Sequence, residues 1–294
     1  MSDPKSVQGR VNSNRDGKSM PEIRLLERRD IPQSLELCRI AGWNQIESDW
    51  ERILDYGSGG CYGAFDNDHL LGTVTSTKCA GDLAWIGMML VHPRYRRLGI
   101  GRYLLCRCLE NLRTTSVKTI KLDATPLGEN LYRKIGFRTE CGIQRWYREK
   151  TDHQHDGKLS SESQTDCLSA EHASLDKLAF GCDRLEWIRH LIPSSRFLSC
   201  KDGFCMLRQG HLADYLGPMS ARSVETANNL VALAIQQTSN DIFWDILEDN
   251  HQAKKIAHQH NFIPVRKLTR MFFNANTVKA DPTFLYALAD PAVG

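Results

Sequence analysis

The chain has 294 residues, 38 Lys plus Arg against 35 Asp plus Glu, a formal net charge of +3, and 41% hydrophobic residues. That length suits two domains of roughly 100–200 residues each, and the composition is that of a globular protein. A charge so near neutral gives no footing for nucleic-acid binding, and no run of about 18 apolar residues offers a membrane span or a signal core. Ten cysteines contain no C-x-x-C pair, which reads as reduced thiols in a cytoplasmic protein rather than disulfides or a metal site.

In chain order, residues 1–20 are polar and read as a disordered tail. Ile23 to Leu26 can form a first strand. Asp30 is placed to cap a helix through Leu35, Leu37, Cys38 and Ile40 that ends at Gly42. Trp43-Asn44-Gln45 precedes a short helix with Trp50, Ile53 and Leu54. Cys61 to Phe65 and Leu70 to Thr77 read as a hairpin around Asp66-Asn67-Asp68. Gly81-Asp82 turns into a strand from Trp85 to Val91, and Ile100, Leu104, Leu105, Cys108, Leu109 and Leu112 form the apolar face of a helix.

Between that strand and helix lies Arg96-x-x-Gly99-x-Gly101. Glycines let the backbone turn tightly and let a ligand approach the amides. The helix start leaves N–H groups unpaired and favours an anion. With Arg94, Arg96, Arg97 and Arg102 close by, the stretch describes a seat for a pyrophosphate. It has no lysine-serine/threonine pair, which argues against metal-assisted phosphoryl transfer, and its spacing is not that of a dinucleotide fold.

Lys118 to Ala124 alternates as a strand does. Thr125-Pro126-Leu127-Gly128 reads as a break, and Glu129 to Ile135 as a short helix capped by Gly136. Residues 149–167 lose all pattern and read as a linker, which divides the chain into 21–148 and 168–294. In the second part Arg184–Leu191, a long helix capped by Ser223, and Asn250–His260 read as helices. Arg196–Cys200, Phe204–Arg208, Leu212–Leu216 (ending at Gly217-Pro218), Asp241–Leu247 and Val265–Phe273 read as strands.

The glycine loop resembles motif A of the GNAT superfamily of N-acetyltransferases, Arg/Gln-x-x-Gly-x-Gly/Ala. Leu131-Tyr132-Arg133-Lys134-Ile135-Gly136-Phe137 resembles motif B, Leu-Tyr-x-x-x-Gly-Phe, with Thr125 and Gly128 where the family usually has Asn and Ala. Ile256 to Phe262 repeats motif B with Ala257 for the tyrosine and Asn261 for the glycine, and residues 217–222 carry no glycine loop. The resemblance therefore implies an α+β chain of two tandem GNAT-like domains, each a mixed sheet flanked by helices, with an intact first copy and a degenerate second.

The resemblance also implies acetyl-CoA as co-substrate and no metal. The backbone at Leu90 and Val91 would pair with the pantetheine arm. The loop Arg96, Arg97, Leu98, Gly99, Ile100, Gly101 and Arg102 would hold the pyrophosphate. Tyr132 would protonate the leaving thiolate, since a phenol near pKa ~10 is a donor at neutral pH. Asp123 is one candidate base, beside Glu47 and Asp49, and a water relay is the alternative. Trp43, Asn44, Gln45, Trp50 and Trp85 would form the acceptor pocket. The expected reaction is acetyl transfer to the primary amine of a small molecule by direct attack. A CoA sensor without turnover and a protein-lysine acetyltransferase are the alternatives. The second half is left with three roles: roofing the site, homodimerisation, or a separate ligand.

Overall fold

A computed structural model describes residues 21–57, 60–150 and 168–294. The expected tail and residues 151–167 of the expected linker lie outside the described residues. The first half runs β1 (Glu22–Leu25), α1 (Ile31–Ile40), α2 (Glu47–Tyr56), β2 (Tyr62–Asp66), β3 (His69–Lys78), β4 (Leu83–Val91), α3 (Ile100–Arg113), β5 (Thr119–Ala124), α4 (Pro126–Ile135) and β6 (Arg138–Arg148). The second runs α5 (Ala170–Phe180), α6 (Leu185–Leu191), β7 (Ser195–Cys200), β8 (Gly203–Arg208), β9 (Asp214–Ala221), α7 (Val224–Gln236), β10 (Ile242–Leu247), α8 (His251–Gln259), β11 (Ile263–Asn274) and β12 (Leu285–Ala287). No described helix is long and apolar enough to cross a membrane.

Most elements follow from local chemistry. Gly136 and Asn261, with φ of 112° and 62°, end α4 and α8 in the left-handed region open to Gly and Asn. Ser223 caps α7 by accepting from the Thr226 amide at 3.1 Å. Three local expectations are corrected. Thr125-Pro126-Leu127-Gly128 is not a break but the start of α4, with Thr125 as N-cap and Pro126 in its first turn. Asp30 stands at the N-cap of α1 but its side chain makes no capping bond, because its carboxylate takes the Glu27 amide at 2.9 Å and the Arg24 guanidinium at 2.7 and 2.8 Å. The strand expected to end at Leu216 continues as β9 through Gly217-Pro218 to Ala221. The proline sits where the β8 register slips between Cys205 and Leu207, a bulge that tolerates the missing donor.

The mixed sheet flanked by helices is present, but the two halves share it. Its order is β1-β2-β3-β4-β5-β11-β6-β10-β9-β8-β7, with β12 on β9. The strands β6 and β11, each following the short helix of its half, are exchanged. β11 of the second half pairs with β5 of the first, and β6 of the first pairs with β10 of the second. Residue boundaries at 148 and 168 thus divide the sequence but not the sheet. The exchange is pinned by two reciprocal buried ion pairs, Asp123 on β5 with Arg270 on β11 and Asp245 on β10 with Arg145 on β6.

The core is shared too. Leu37, Trp50 and Phe65 of the first half join Trp187, Phe204, Ala292 and Val293 of the second in one buried cluster. Met271 of β11 lies in the core beneath α3 and α4, and Trp146 of β6 lies in the core beneath α7 and α8. At about 25 cal/mol per Å² of apolar area buried, neither half could give up the other's strand without exposing its own core.

Candidate active site

The site begins with a defect in β4. Thr73 of β3 faces Leu90 whereas Thr75 faces Gly87, so β4 holds an extra residue there. Met88 takes φ of 45°, and its carbonyl accepts from the Thr73 hydroxyl at 2.6 Å. Parallel pairing of β4 with β5 covers only Leu83–Trp85 against Thr119–Lys121. Beyond it the strands part, and the edge of β4 that faced β5 loses its neighbour. A cavity of ≈ 940 Å³ occupies the opening. An extended ligand laid along that edge can satisfy the freed backbone groups as another strand would.

The glycine loop closes one end of the cavity. Arg97 and Gly99 have φ of 64° and 86°, and Gly99 stands at the N-cap of α3. The Arg96 Nε donates to the Val91 carbonyl at 3.0 Å, which ties the loop to the end of β4. The positive end of α3, where the first amides of a helix have no acceptor within the helix, thus lies at this end of the cavity. A Cβ on Gly101 would lie 3.3 Å from Met89 Cε, so the glycine keeps this approach open. Leu90, Val91, Arg96, Arg97, Gly99, Ile100, Gly101 and Arg102 all border the cavity. Leu98 does not, and its residue is 39% exposed.

Tyr132 projects from α4 into the same cavity, edge-on to Phe137 at 5.8 Å. Burial pushes its phenol above the ordinary value, so it remains a proton donor across the neutral range. Gly128 is explained by this tyrosine: a Cβ there would come within 2.9 Å of Tyr132 Cε2. Asp123 also borders the cavity. However, Arg270 Nε and Nη2 each donate to it at 2.9 Å, and its side chain has no exposed surface. Burial pushes its carboxyl up and Arg270 opposes the shift. With both oxygens held by a guanidinium, Asp123 serves as a tie to β11 and is poorly placed to take a proton from an acceptor. Asp49 is occupied as well, accepting from the Ile46 amide at 2.9 Å and from Arg52 at 2.5 Å. Glu47 is exposed and does not border the cavity.

At the far end, Trp43, Asn44 and Gln45 line the wall. Asn44 is a strut between the halves: its Oδ1 accepts from the Leu212 and Ala213 amides at 2.7 and 3.0 Å, and its Nδ2 donates to the Ala213 carbonyl at 2.9 Å. Trp50 and Trp85 are not cavity residues. Trp50 is 0% exposed in the core under α1 and α2. Trp85 lies on the opposite side against Phe180, beside a second cavity of ≈ 460 Å³, with the Arg270 guanidinium 4.6 Å from its ring centroid. Both tryptophans went where their apolar area is best buried.

Residues 285–294 carry no motif or period that marks them as part of a site. Trp85 Nε1 donates to the Pro291 carbonyl at 3.1 Å, and a Cβ on Gly87 would strike the Ala292 carbonyl. This holds the segment against β4, where Asp290, Pro291 and Ala292 form part of the cavity wall. Asp290 faces the cavity with its carboxyl pushed up by burial, against the pull of Arg208. The Ala292 amide donates to its Oδ1 at 2.7 Å and Gln45 Nε2 to its Oδ2 at 3.4 Å. Arg145 and Arg266 reach the same wall from β6 and β11.

The second half repeats the defect and fills it. Gly217 and Pro218 occupy the bulge of β9, as Met88 and Met89 do in β4. β9 pairs with β10 over three residues, Asp214–Leu216 against Ile242–Trp244, before the strands part. Here β12 lies against β9, with Leu285 opposite Ser220 and Ala287 opposite Met219. Trp244 Nε1 donates to the Tyr286 carbonyl at 2.9 Å, and the Leu288 amide to the Asp245 carbonyl at 3.1 Å. Gly217 lets the chain pass, since a Cβ there would meet the Leu288 carbonyl at 1.9 Å. Ala257, 0% exposed, stands in place of the tyrosine. The slot that is open in the first half is closed in the second by the protein's own strand.

Comparison with known proteins agrees with this architecture. Residues 28–137 match the acetyltransferase (GNAT) family, and residues 173–287 match an acetyltransferase (GNAT) domain. The uncharacterized N-acetyltransferase YitH of Bacillus subtilis is 28% identical over 237 residues, 77% of this chain and 76% of that protein. The crystal structure of a protein of Pyrococcus horikoshii described as an acetyltransferase superposes with a TM-score of 0.84 at 25% identity, covering 98% of this chain and 100% of the other. A tandem GNAT protein from the clavulanic acid biosynthesis pathway shares the fold, with a TM-score of 0.61 at 16% identity over 86% of this chain and 98% of the other. The chain is an acyltransferase of the GNAT family, built from two GNAT domains in tandem.

Proposed function

We propose that this protein is an acetyl-CoA-dependent N-acetyltransferase that acts on the primary amine of a small molecule by direct attack in a ternary complex. One observation carries the reading. The parted edge of β4, the anion-seating start of α3 and the Tyr132 phenol all open into one cavity, while the equivalent slot of the second half is filled. Acetyl-CoA would bring an already activated thioester. The loop from Arg96 to Arg102 would hold its diphosphate through backbone amides and guanidinium groups. The edge at Met89–Val91 would hold the extended arm. Placing the amine against the carbonyl carbon is a proximity effect. As the new C–N bond forms and the C–S bond breaks, the Tyr132 hydroxyl gives its proton to the departing sulfur, and the amine proton leaves to water or a carboxylate in the cavity.

The wall built by Asp290–Ala292 encloses the acceptor end, which favours a small acceptor over a lysine on a folded protein. The test is free-thiol release by the purified chain with acetyl-CoA and a panel of small primary amines. Release that needs both substrates and scales with enzyme supports the reading. No amine-dependent release from protein that is stabilised by acetyl-CoA would leave a CoA-binding sensor instead.

A further inference from the structure

Two oppositely charged side chains line the acceptor end without partnering each other. Arg266 reaches it from β11 and Asp290 from the segment after β12. No hydrogen bond or ion pair holds Arg266 among the described residues, and its Nε is buried without a partner. It is not paired by default, since neighbouring cations all have carboxylates: Arg145 has Asp245, Arg270 has Asp123, and Arg208 has Asp49 at 3.7 Å. Asp290 feels Arg266 through space, but no ion pair joins them. Beside Asp290, the Oε1 of Gln45 is likewise buried and unpaired. A buried guanidinium nitrogen and a buried amide oxygen left unsatisfied each cost free energy that a ligand can recover.

We propose that the acceptor is a small amine that also carries a carboxylate, with Arg266 taking the carboxylate and Asp290 with Gln45 taking the ammonium, which gives its extra proton to water before the amine attacks. A guanidinium matches a carboxylate in shape and charge. A carboxylate beside an amide oxygen suits an ammonium, which has donors only. Both charged residues come from the second half, so that half would set acceptor choice for a cofactor site carried by the first. This inference rests on the acetyltransferase reading.

The experiment compares three acceptors of one side chain: an amino acid, its primary amide and its decarboxylated amine. Each is assayed by thiol release with the full chain and saturating acetyl-CoA. The free amino acid should lead by about 10- to 100-fold in kcat/KM, the worth of one hydrogen bond to a charged group. In Arg266→Gln that lead should vanish, with the loss in kcat/KM falling mainly on the free amino acid and much less on the decarboxylated amine. In Arg266→Glu the preference should move to diamines. Equal use of all three acceptors by wild type, or equal losses on all three in Arg266→Gln, would overturn the two-charge acceptor and leave the acetyltransferase reading standing. No thiol release with any amine would overturn both.

Discussion

Asp123 and Arg270 face each other across the β5–β11 pairing, with the carboxylate of the first half held at two points by the guanidinium of the second. Asp245 and Arg145 repeat the arrangement in reverse across β10 and β6. These pairs join the exchanged strands, β11 and β6, each to the sheet of the other half. Their role in stability sets the first expectation. Arg270→Gln should destabilise the fold by about 3–5 kcal/mol, because it strands a buried carboxylate, whereas replacing Asp123 and Arg270 together by Leu and Met should restore most of that loss. Urea unfolding of the three proteins measures it. A double variant as unstable as the single would show that the pair does more than neutralise itself.

Tyr132→Phe should leave the fold intact and lower kcat by about 10²–10⁴-fold, the range for loss of a positioned acid. The melting shift with acetyl-CoA should remain. Burial holds the phenol above its ordinary value, so any fall in kcat between pH 7 and about 10 belongs to another group. A pH profile of wild type whose alkaline limb disappears in Tyr132→Phe would contradict this.

Gly87→Ala should separate the two ends of the site. The added methyl meets the Ala292 carbonyl and carbon atoms at 2.1–2.8 Å, so residues 290–292 must move away from β4. Acetyl-CoA binding should persist, while KM for the acceptor rises. Equal KM values would remove the segment from the acceptor wall.

Asp290→Asn should raise stability at neutral pH. The Asp290 carboxyl is pushed up by burial, so the folded protein binds its proton more tightly than the unfolded chain. The ionised carboxyl then costs stability as pH rises past the unfolded value of about 3.9, and the full cost is present above the folded value. The neutral amide keeps an oxygen for the Ala292 amide and avoids the charge. The expected result is a higher melting temperature at pH 7, with a gap that closes toward pH 3. An unchanged or lower melting temperature at pH 7 would contradict the assignment.

Several parts of this architecture are legible in the residues. The strand, the glycine loop and the amphipathic helix around Arg96–Gly101 follow from turn chemistry and period, and so do the left-handed caps at Gly136 and Asn261. The exchange of β6 and β11 is not legible, because a strand reads the same whichever neighbour it pairs with. It also means that a fragment ending near residue 150 would lack β11 between β5 and β6, so the halves cannot be tested apart. Trp50 and Trp85 carry no mark that separates a core ring from a pocket ring. Asp290 sits in an Ala-rich stretch with no period, and its contact with Gln45, like that of Pro291 with Trp85 of β4, bridges some 200 residues or more of sequence.

The measurement that bears most directly on the account is the melting shift with acetyl-CoA for wild type and Gly101→Glu. Binding to the folded state alone should stabilise wild type by about 2.7 kcal/mol at a hundredfold excess over Kd. The variant places a carboxylate where the loop would seat an anion, beside Met89 and Val91, and should show no shift while keeping its fold. A shift of equal size in the two proteins would put acetyl-CoA elsewhere, and no shift in folded wild type would contradict the cofactor itself.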